Sequence, residues 1–485
     1  MKEHLIKIVQ HSAIYGLGNI AVALTGFLLI PLYTNYLSPE AYGIYSLITL
    51  FMALLTFFYD LGLYKAMFSW YFDFSVEQKE RKTIVSTVLF STFVFSLIWT
   101  LLFLLFPGRV SELVANGREY SPLVRLAVLT VFFNNLMIIP FSVLRLKEKP
   151  GWFATASFVR IIGIVGLNFL FIATFKRGLL GLYESGLIVA LAMTILLFLF
   201  TRKEYILEFS GEDFKRMFKL ALPFFPTVFF AWIIDFSGRY FLKLYTTLEQ
   251  VGLYSLGYKV GQVTMFTVSV FILGWVPILF SIAKEKNAPE IFGRVMTYFF
   301  SVVAFVSVLI SVFGKELIRV FASPFYMPAS QVIPIIATSY LLYGAYMFLL
   351  TGLLIKKEAR SQPLILAVAA GVNVGLNILL IPRLGMMGAA LATLATYLLV
   401  AGGTYFASQK IYFIPYEFDR ILKSLFITLL VYFLSLLIRS ESLAYALSLK
   451  FALMIVMYPA LLYLTKFFKQ EELAKLRALT KVVSL

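Results

Sequence analysis

YLSPEAYGIYSL occupies residues 36–47 and YTTLEQVGLYSL residues 245–256, and the two stretches agree at six of twelve positions with an offset of 209. The identities are Tyr36/Tyr245, Glu40/Glu249, Gly43/Gly252, Tyr45/Tyr254, Ser46/Ser255 and Leu47/Leu256. A near-copy that far along a chain of 485 residues predicts two homologous halves. In a membrane protein this points to a transporter, because two similar half-domains can rock around a site between them. The copy extends further. VGLNFLFI at 165–172 matches VGLNILLI at 374–381 with the same offset, LRLKE at 144–148 aligns with LIKKE at 354–358, and Gly178/Gly181 aligns with Gly385/Gly388.

The composition supports membrane placement. Apolar residues make up 61% and charged residues 14%, with mean hydropathy +0.89, against ~45–50% and ~25% in a soluble domain. Apolar runs of about 20 residues, enough to cross ~30 Å of hydrocarbon as a helix, recur from end to end. No stretch reads as a cleavable signal peptide, since the first apolar run is long and leads directly into the repeat. The absence of cysteine excludes disulfides, thiolate catalysis and cysteine-based metal sites. With only His4 and His11, a histidine metal centre is not expected.

The reading is all-α, a polytopic membrane protein of 14 transmembrane helices at roughly 10–34, 42–68, 84–106, 122–144, 152–174, 180–200, 217–238, 251–280, 295–313, 330–354, 362–381, 386–408, 421–438 and 443–465. Of the 42 lysines and arginines, 27 fall in the N-terminus, the tail and one alternate set of loops, and 10 in the other set. The positive-inside rule therefore puts both termini in the cytoplasm and the repeated motif on the outer face. The net charge of +17 is then mostly topological, and no nucleic-acid partner is needed to explain it. Each half holds six spans, an even number, so the repeat is parallel rather than inverted. The expected domains are residues 1–205, residues 206–412 as a repeat of the first, and 413–485 with two additional spans and a basic cytoplasmic tail.

HSAIYGLGNIAVALTGFLLIPLYTNYLSPEAYGIYSL at 11–47 resembles the first span and loop of the polysaccharide-biosynthesis flippases of the multidrug/oligosaccharidyl-lipid/polysaccharide (MOP) exporter superfamily. DLGLYKAMF at 60–68 is similar to their second span, and DFSGRYFLKLYTTLEQVGLYSLGYKVG at 235–261 to spans seven and eight. The resemblance implies a cell-membrane flippase that moves a polyisoprenyl-pyrophosphate-linked oligosaccharide from the cytoplasmic to the outer leaflet by alternating access. It implies a role in O-antigen, lipopolysaccharide or exopolysaccharide assembly, beside a polysaccharide polymerase and glycosyltransferases. It also implies a groove for the isoprenoid tail at the last two spans, near Lys450. A peptidoglycan-precursor flippase and a cation-coupled small-molecule exporter of the same superfamily stay open.

A diphosphate entering the membrane calls for cations, and arginine can grip its oxygens bidentately. Ionisable residues inside spans are costly and usually functional, which nominates Lys259, Arg160, Arg239 and Lys65 for a cationic substrate cavity. Lys259 lies near the midplane of span eight, and Arg160 stands in an apolar stretch without a neighbouring charge in sequence. Asp235 and Arg239, spaced i, i+4, share a helix face. They read either as a self-neutralising pair or as a substrate arginine with its holder. Asp60 and Asp235 are the candidates for charge partner or for H+ or Na+ coupling. Under the offset of 209, Lys259 corresponds to Leu50, Asp235 to Gly26 and Arg239 to Ile30, so the framework is repeated and the charges are not.

Arg125, Glu184, Lys243 and Lys450 sit near span ends and read as snorkelling side chains. Asn168 and Asn377, equivalent under the repeat, read as interhelical hydrogen-bonding residues. Glu40 and Glu249 read as charges at helix N-termini. An enzyme reading, a membrane-embedded polymerase or ligase, requires a sizeable outer loop with catalytic groups. The outer loops run to only about 15 residues, far short of a folded domain. No GxxxxGK[ST] pattern is present, so no ATP hydrolysis is expected, and no cofactor is called for.

Overall fold

The computed structural model describes residues 25–60, 62–71, 78–222, 225–438, 440 and 442–472, and among these the only regular elements are helices. The repeated dodecapeptide explains one recurring helix start. Ser38 accepts a hydrogen bond from the Ala41 N–H at 3.2 Å and so caps α2 (Pro39–Asp60), which follows the short α1 (Ile30–Tyr36). Thr247, its equivalent at offset 209, accepts from the Gln250 N–H at 3.3 Å, ahead of Leu248–Gly261. A capping hydroxyl satisfies an amide that the first turn leaves without a carbonyl partner. Glu40 and Glu249 stand in the two first turns, where the helix dipole favours a negative charge.

The helix ends repeat as well. In LRLKE, Glu148 adopts φ 51° and the Lys149 N–H reaches back to the Leu144 carbonyl at 2.9 Å. In LIKKE, Lys357 adopts φ 55° and the Glu358 N–H reaches the Leu353 carbonyl at 2.9 Å. Both are left-handed C-terminal caps that satisfy terminal carbonyls, 209 residues apart.

Between and beyond these landmarks run α3 (Leu63–Tyr71), α4 (Gln78–Leu105), α5 (Pro107–Ala115), α6 (Ser121–Leu146), α7 (Pro150–Asn168), α8 (Gly178–Thr201) and α9 (Gly211–Ala221). Next come α10 (Phe225–Tyr245), α11 (Leu248–Gly261), α12 (Val263–Ile282), α13 (Ala288–Phe321), α14 (Ile333–Leu349), α15 (Thr351–Lys356), α16 (Gln362–Leu384) and α17 (Met386–Ile411). The chain closes with α18 (Phe418–Leu436), α19 (Leu443–Ala452) and α20 (Tyr458–Leu464).

Among the described residues 11 helices are long and apolar enough to cross a membrane, or 12 if α9 and α10, which meet at a bend, form one span. The expected number was 14. Most of the first expected span lies outside the described residues. The thirteenth is helical as α18, but this helix of 19 residues carries three charged residues, Asp419, Arg420 and Lys423, in its opening turns.

The chain divides into two compact units. One takes the described residues up to Trp232 with Leu242–Gly252 and Phe321–Ser323; the other takes Ile233–Phe241, Leu253–Val320 and the chain from Pro324 onward. In the first unit α6 is packed by α2, α4 and α8, with Leu55, Tyr59, Val124 and Val128 at one buried seam and Met137, Val189 and Met193 at another. Asn135 donates to Ser96 at 2.8 Å, so α6 and α4 are joined by a polar bond as well as by packing.

Within this unit the two copies of the repeat also meet. A Cβ at Gly43 would overlap the Leu248 carbonyl oxygen, and a Cβ at Gly252 would overlap the Pro39 carbonyl oxygen. Positions 39 and 248 are themselves separated by 209, so the crossing of α2 with the start of α11 is reciprocal. Small residues allow such backbone approach between membrane helices.

In the second unit α17 packs on α14 and α16. The additional C-terminal helices lie on α13, where Val308 and Val312 meet Ile427, Val431, Met454 and Tyr458. Arg420 holds that assembly at one end. It pairs with Glu417 at 2.7 Å and with both carboxylate oxygens of Glu472, at 3.3 and 2.9 Å. Glu417 also accepts from Thr297 at 2.9 Å and pairs with Lys469.

Burial raises the pKa of Glu417, but Lys469, Thr297 and Arg420 outweigh it and hold the group below its ordinary value. For Glu472 burial is likewise outweighed, by the Lys469 N–H, Tyr298 and Arg420. Groups with depressed folded values stabilise fully above the ordinary carboxylate range, and that contribution is lost as pH falls through the folded values. Protection of segment 465–472 from proteolysis or hydrogen exchange is therefore expected to weaken below about pH 4.5, and Arg420→Ala should weaken it at neutral pH. Equal protection at pH 7 and pH 4 would contradict this account of the segment's attachment.

Candidate functional site

The second unit assembles one buried polar cluster around α10. Asp235 projects from α10, and its Oδ1 accepts hydrogen bonds from Tyr258 on α11 at 3.2 Å and from Tyr397 on α17 at 2.5 Å. Tyr258 in turn shares a 2.8 Å hydrogen bond with Tyr340 on α14. Three helices thus hold one carboxylate through phenols, which bury a large apolar body while keeping a donor at the tip.

Arg239, one turn along α10 and buried, does not neutralise that carboxylate directly. Its Nη1 donates to the Asp235 backbone carbonyl at 3.5 Å and its Nε to Ser255 Oγ at 3.3 Å. The guanidinium stands over the Tyr258 ring, 4.3 Å from its centroid, an arrangement favourable for a desolvated arginine. Neither sequence reading of the 235/239 pair anticipates this: the aspartate is held by tyrosines, and the arginine by an aromatic face and a serine. Ser255 belongs to the repeated motif, whose second copy therefore contributes to the site as well as to the framework.

Lys259 lies on α11 one turn beyond Ser255, half-buried and close enough to Arg239 for the two charges to act on each other. Asp235, Arg239 and Lys259 are therefore brought together in one region. Beside them Ser237 donates to Asn373 at 2.7 Å, Asn377 donates to Ser237 at 3.2 Å, and Asn373 donates to Thr396 at 2.9 Å. Asn377 thus ties α16 to α10. Its repeat partner Asn168 accepts from Tyr33 at 3.0 Å and ties α7 to α1. The interhelical role expected for both asparagines is what the hydrogen bonds show.

The other candidates belong to the first unit. Arg160, half-buried on α7, donates to Asn134 Oδ1 on α6 at 3.1 Å; sequence showed no nearby charge, and its described partner is a neutral amide. Lys65 is exposed on α3. The Asp60 side chain lies outside the described residues. Two expected snorkelling residues are instead engaged inward. Lys243 is buried and donates to the Leu113 carbonyl, and Lys450 is buried in an ion pair with Glu316 at 2.7 Å. Lys450 thus turns toward α13 and away from lipid. Glu184 pairs with Arg177 at 2.7 Å.

The tyrosines were not singled out from sequence, although SYLLYGAYM at 339–347 places Tyr340, Tyr343 and Tyr346 three residues apart near one helix face. No group of three or more metal-binding side chains occurs among the described residues. The arrangement suits anion binding by Arg239 and Lys259, and cation or proton exchange at Asp235.

The model of the family described as polysaccharide biosynthesis protein matches residues 8–283, more than half of the chain. None of the curated protein sequences matches. Among solved structures, lipid II flippase MurJ in an inward closed conformation superposes with a TM-score of 0.74 at 17% identity, covering 93% of this chain and 98% of that one. An inward-facing multidrug resistance MATE family transporter of the MOP superfamily gives 0.63 at 14% identity, covering 80% and 94%. A MOP superfamily transporter from Pyrococcus furiosus gives 0.56 at 13% identity, covering 83% and 95%. At these identities the likeness shows the fold alone. The chain belongs to the polysaccharide biosynthesis protein family and is a multi-pass membrane protein whose fold is similar to that of MOP superfamily transporters.

Proposed function

We propose that this protein flips a polyisoprenyl-pyrophosphate-linked oligosaccharide from the cytoplasmic to the outer leaflet of the cell membrane by alternating access, for surface polysaccharide assembly. Both termini are then cytoplasmic and the Gly43/Gly252 crossing lies on the outer side. The halves that rock are residues 1–205 and 206–412, with 413–485 appended. Glycosyltransferases would supply the cargo and a polymerase consume it.

The observation that carries this reading is the buried pairing of Arg239 with Tyr258 and Ser255 beside Lys259, in a chain of this family. An arginine and a lysine desolvated together repel each other, and an anion between them removes that cost. Arg160 is the proposed cation of the first unit, lightly held by Asn134 and so able to exchange that amide for a phosphate oxygen. Lys65 would serve at the cargo's entry. Asp235, with Asp60, is the proposed coupling site for H+ or Na+. The likeness to MurJ favours a second cargo, a peptidoglycan precursor, which carries the same pyrophosphate and polyisoprenyl chemistry.

Arg160→Gln and Lys259→Gln are each expected to reduce surface polymer by at least tenfold, a loss of about 1.4 kcal/mol or more in cargo stabilisation, at unchanged membrane levels. Normal export by both variants would remove the cationic site from the account.

A further inference from the structure

In the second unit a run of tyrosine rings begins at the buried polar cluster and continues past it. Arg239 stands over Tyr258. From there ring centroids follow at 5.9 Å to Tyr340, 5.9 Å to Tyr343 and 6.0 Å to Tyr346, with Tyr397 5.5 Å from Tyr343. The hydroxyls of Tyr258, Tyr340 and Tyr397 belong to the Asp235 network. Those of Tyr343 and Tyr346 do not. Both residues are half-buried, and their hydroxyls keep accessible surface but have no hydrogen-bond partner among the described residues.

The position of α14 shows what these two side chains face. No residue from Val332 to Leu353 is exposed, whereas α16 presents Leu364, Val368 and Leu379 at its surface. Other helices therefore enclose α14, and its half-buried residues face enclosed space rather than lipid. The span covers Ile333–Lys356, and at ~1.5 Å per residue Tyr343 and Tyr346 lie about 15 and 20 Å along it. That is too deep in a ~30 Å hydrocarbon core for the tyrosine belt of a membrane–water boundary. Packing does not call for the hydroxyls either. On the opposite face of α14, Phe348 packs on Phe271 and Phe299, with ring centroids 6.2 and 5.7 Å away. A hydroxyl held in mid-membrane without a partner is a cost that phenylalanine would avoid.

We infer that Tyr343 and Tyr346 form a sugar subsite, on which pyranose rings of the cargo lie with their C–H faces against the aromatic rings and their hydroxyls bonded to the phenols. An apolar tail would leave the phenol hydroxyls unpaired, and a phosphate calls for cations rather than aromatic faces. A sugar meets both requirements, having an apolar C–H face and a rim of hydrogen-bonding groups to match an aromatic ring with a polar tip. The run of rings starts under Arg239, so a diphosphate held there and the sugars attached to it fall along one line. The inference rests on the reading of the cargo as a lipid-linked glycan, and adds which residues hold the glycan.

Binding to the detergent-purified full chain tests this with three probes: farnesyl pyrophosphate, farnesyl-pyrophosphoryl N-acetylglucosamine and its chitobiose counterpart. The wild type should bind the sugar-bearing lipids about tenfold more tightly than the bare pyrophosphate. Tyr343→Leu/Tyr346→Leu should bind all three alike. Tyr343→Phe and Tyr346→Phe, which keep the rings and their packing, should each lose about threefold toward the sugar-bearing lipids and unfold at or above the wild-type temperature. Equal affinity of the wild type for bare and sugar-bearing lipids overturns the subsite and leaves the pyrophosphate-linked cargo standing. An undiminished sugar preference in the double leucine variant, or in both phenylalanine variants, overturns it as well. If none of the three probes binds, the cargo reading itself fails and the subsite falls with it.

Discussion

Asp235→Asn is expected to abolish transport, leaving less than about a tenth of wild-type activity, a barrier penalty of at least ~1.4 kcal/mol, while the protein still folds and inserts. Both tyrosine hydrogen bonds reach the same oxygen, Oδ1. An asparagine carbonyl can accept both, so the contacts among α10, α11 and α17 survive. What the substitution removes is the negative charge beside Arg239 and the capacity to bind a proton or a cation. Asp235→Ala makes a deliberate contrast. It strands the Tyr258 and Tyr397 hydroxyls, at about 1–3 kcal/mol for each buried unsatisfied group, so it should lower thermal stability as well as activity. If Asp235→Asn transports normally and keeps its dependence on an ion gradient, Asp235 is structural and the coupling ion binds elsewhere.

The second large effect concerns the repeated motif. Gly43→Ala and Gly252→Ala each place a methyl group on a backbone carbonyl, that of Leu248 or Pro39. A carbonyl committed to a helix cannot swing aside as a side chain would, so the helices must move apart. Overpacking of this kind costs about 1–3 kcal/mol. Because the crossing is reciprocal, the two single variants should lose similar stability. The double variant should lose less than their sum, since helices already separated by one methyl accommodate the second. Gly166→Ala and Gly371→Ala, where an added Cβ meets nothing within 4 Å, should unfold at or above the wild-type temperature. Thermal unfolding in one detergent checks all five variants. Equal unfolding temperatures for Gly43→Ala and the wild type would show that the crossing bears no strain.

Much of the fold was legible because membrane helices follow simple rules. Apolar length located the spans, and the repeat pointed to equivalent elements: Glu40 and Glu249 both stand in the first turn of a helix, as expected, and the aligned segments LRLKE and LIKKE both lie at helix ends. The exact span count was less accessible, since α18 begins with Asp419, Arg420 and Lys423, which pairing rather than hydropathy accommodates. The site was legible only in part. A buried charge announces itself by residue type, so Asp235, Arg239 and Lys259 could be selected. Their partners Tyr258, Tyr340 and Tyr397 come from three helices up to 162 residues from Asp235, and tyrosine is common in this chain. The inward turn of Lys450 toward Glu316 was hidden for the same reason. The carboxylate belongs to α13, whose last two turns run beyond the apolar stretch that marks the span.

The central claim is translocation of a lipid-linked, pyrophosphate-bearing glycan, and reconstitution tests it most directly. Purified protein in liposomes would be supplied with a polyisoprenyl-pyrophosphate oligosaccharide, and the fraction reaching the opposite leaflet followed by a sugar-specific lectin or enzyme added outside. The account predicts protein-dependent flipping, lost in Lys259→Gln and Asp235→Asn and not supported by lipid II at a comparable rate. Flipping of lipid II alone would make the peptidoglycan precursor the cargo. Flipping of neither, by protein that is folded and inserted, would contradict the account.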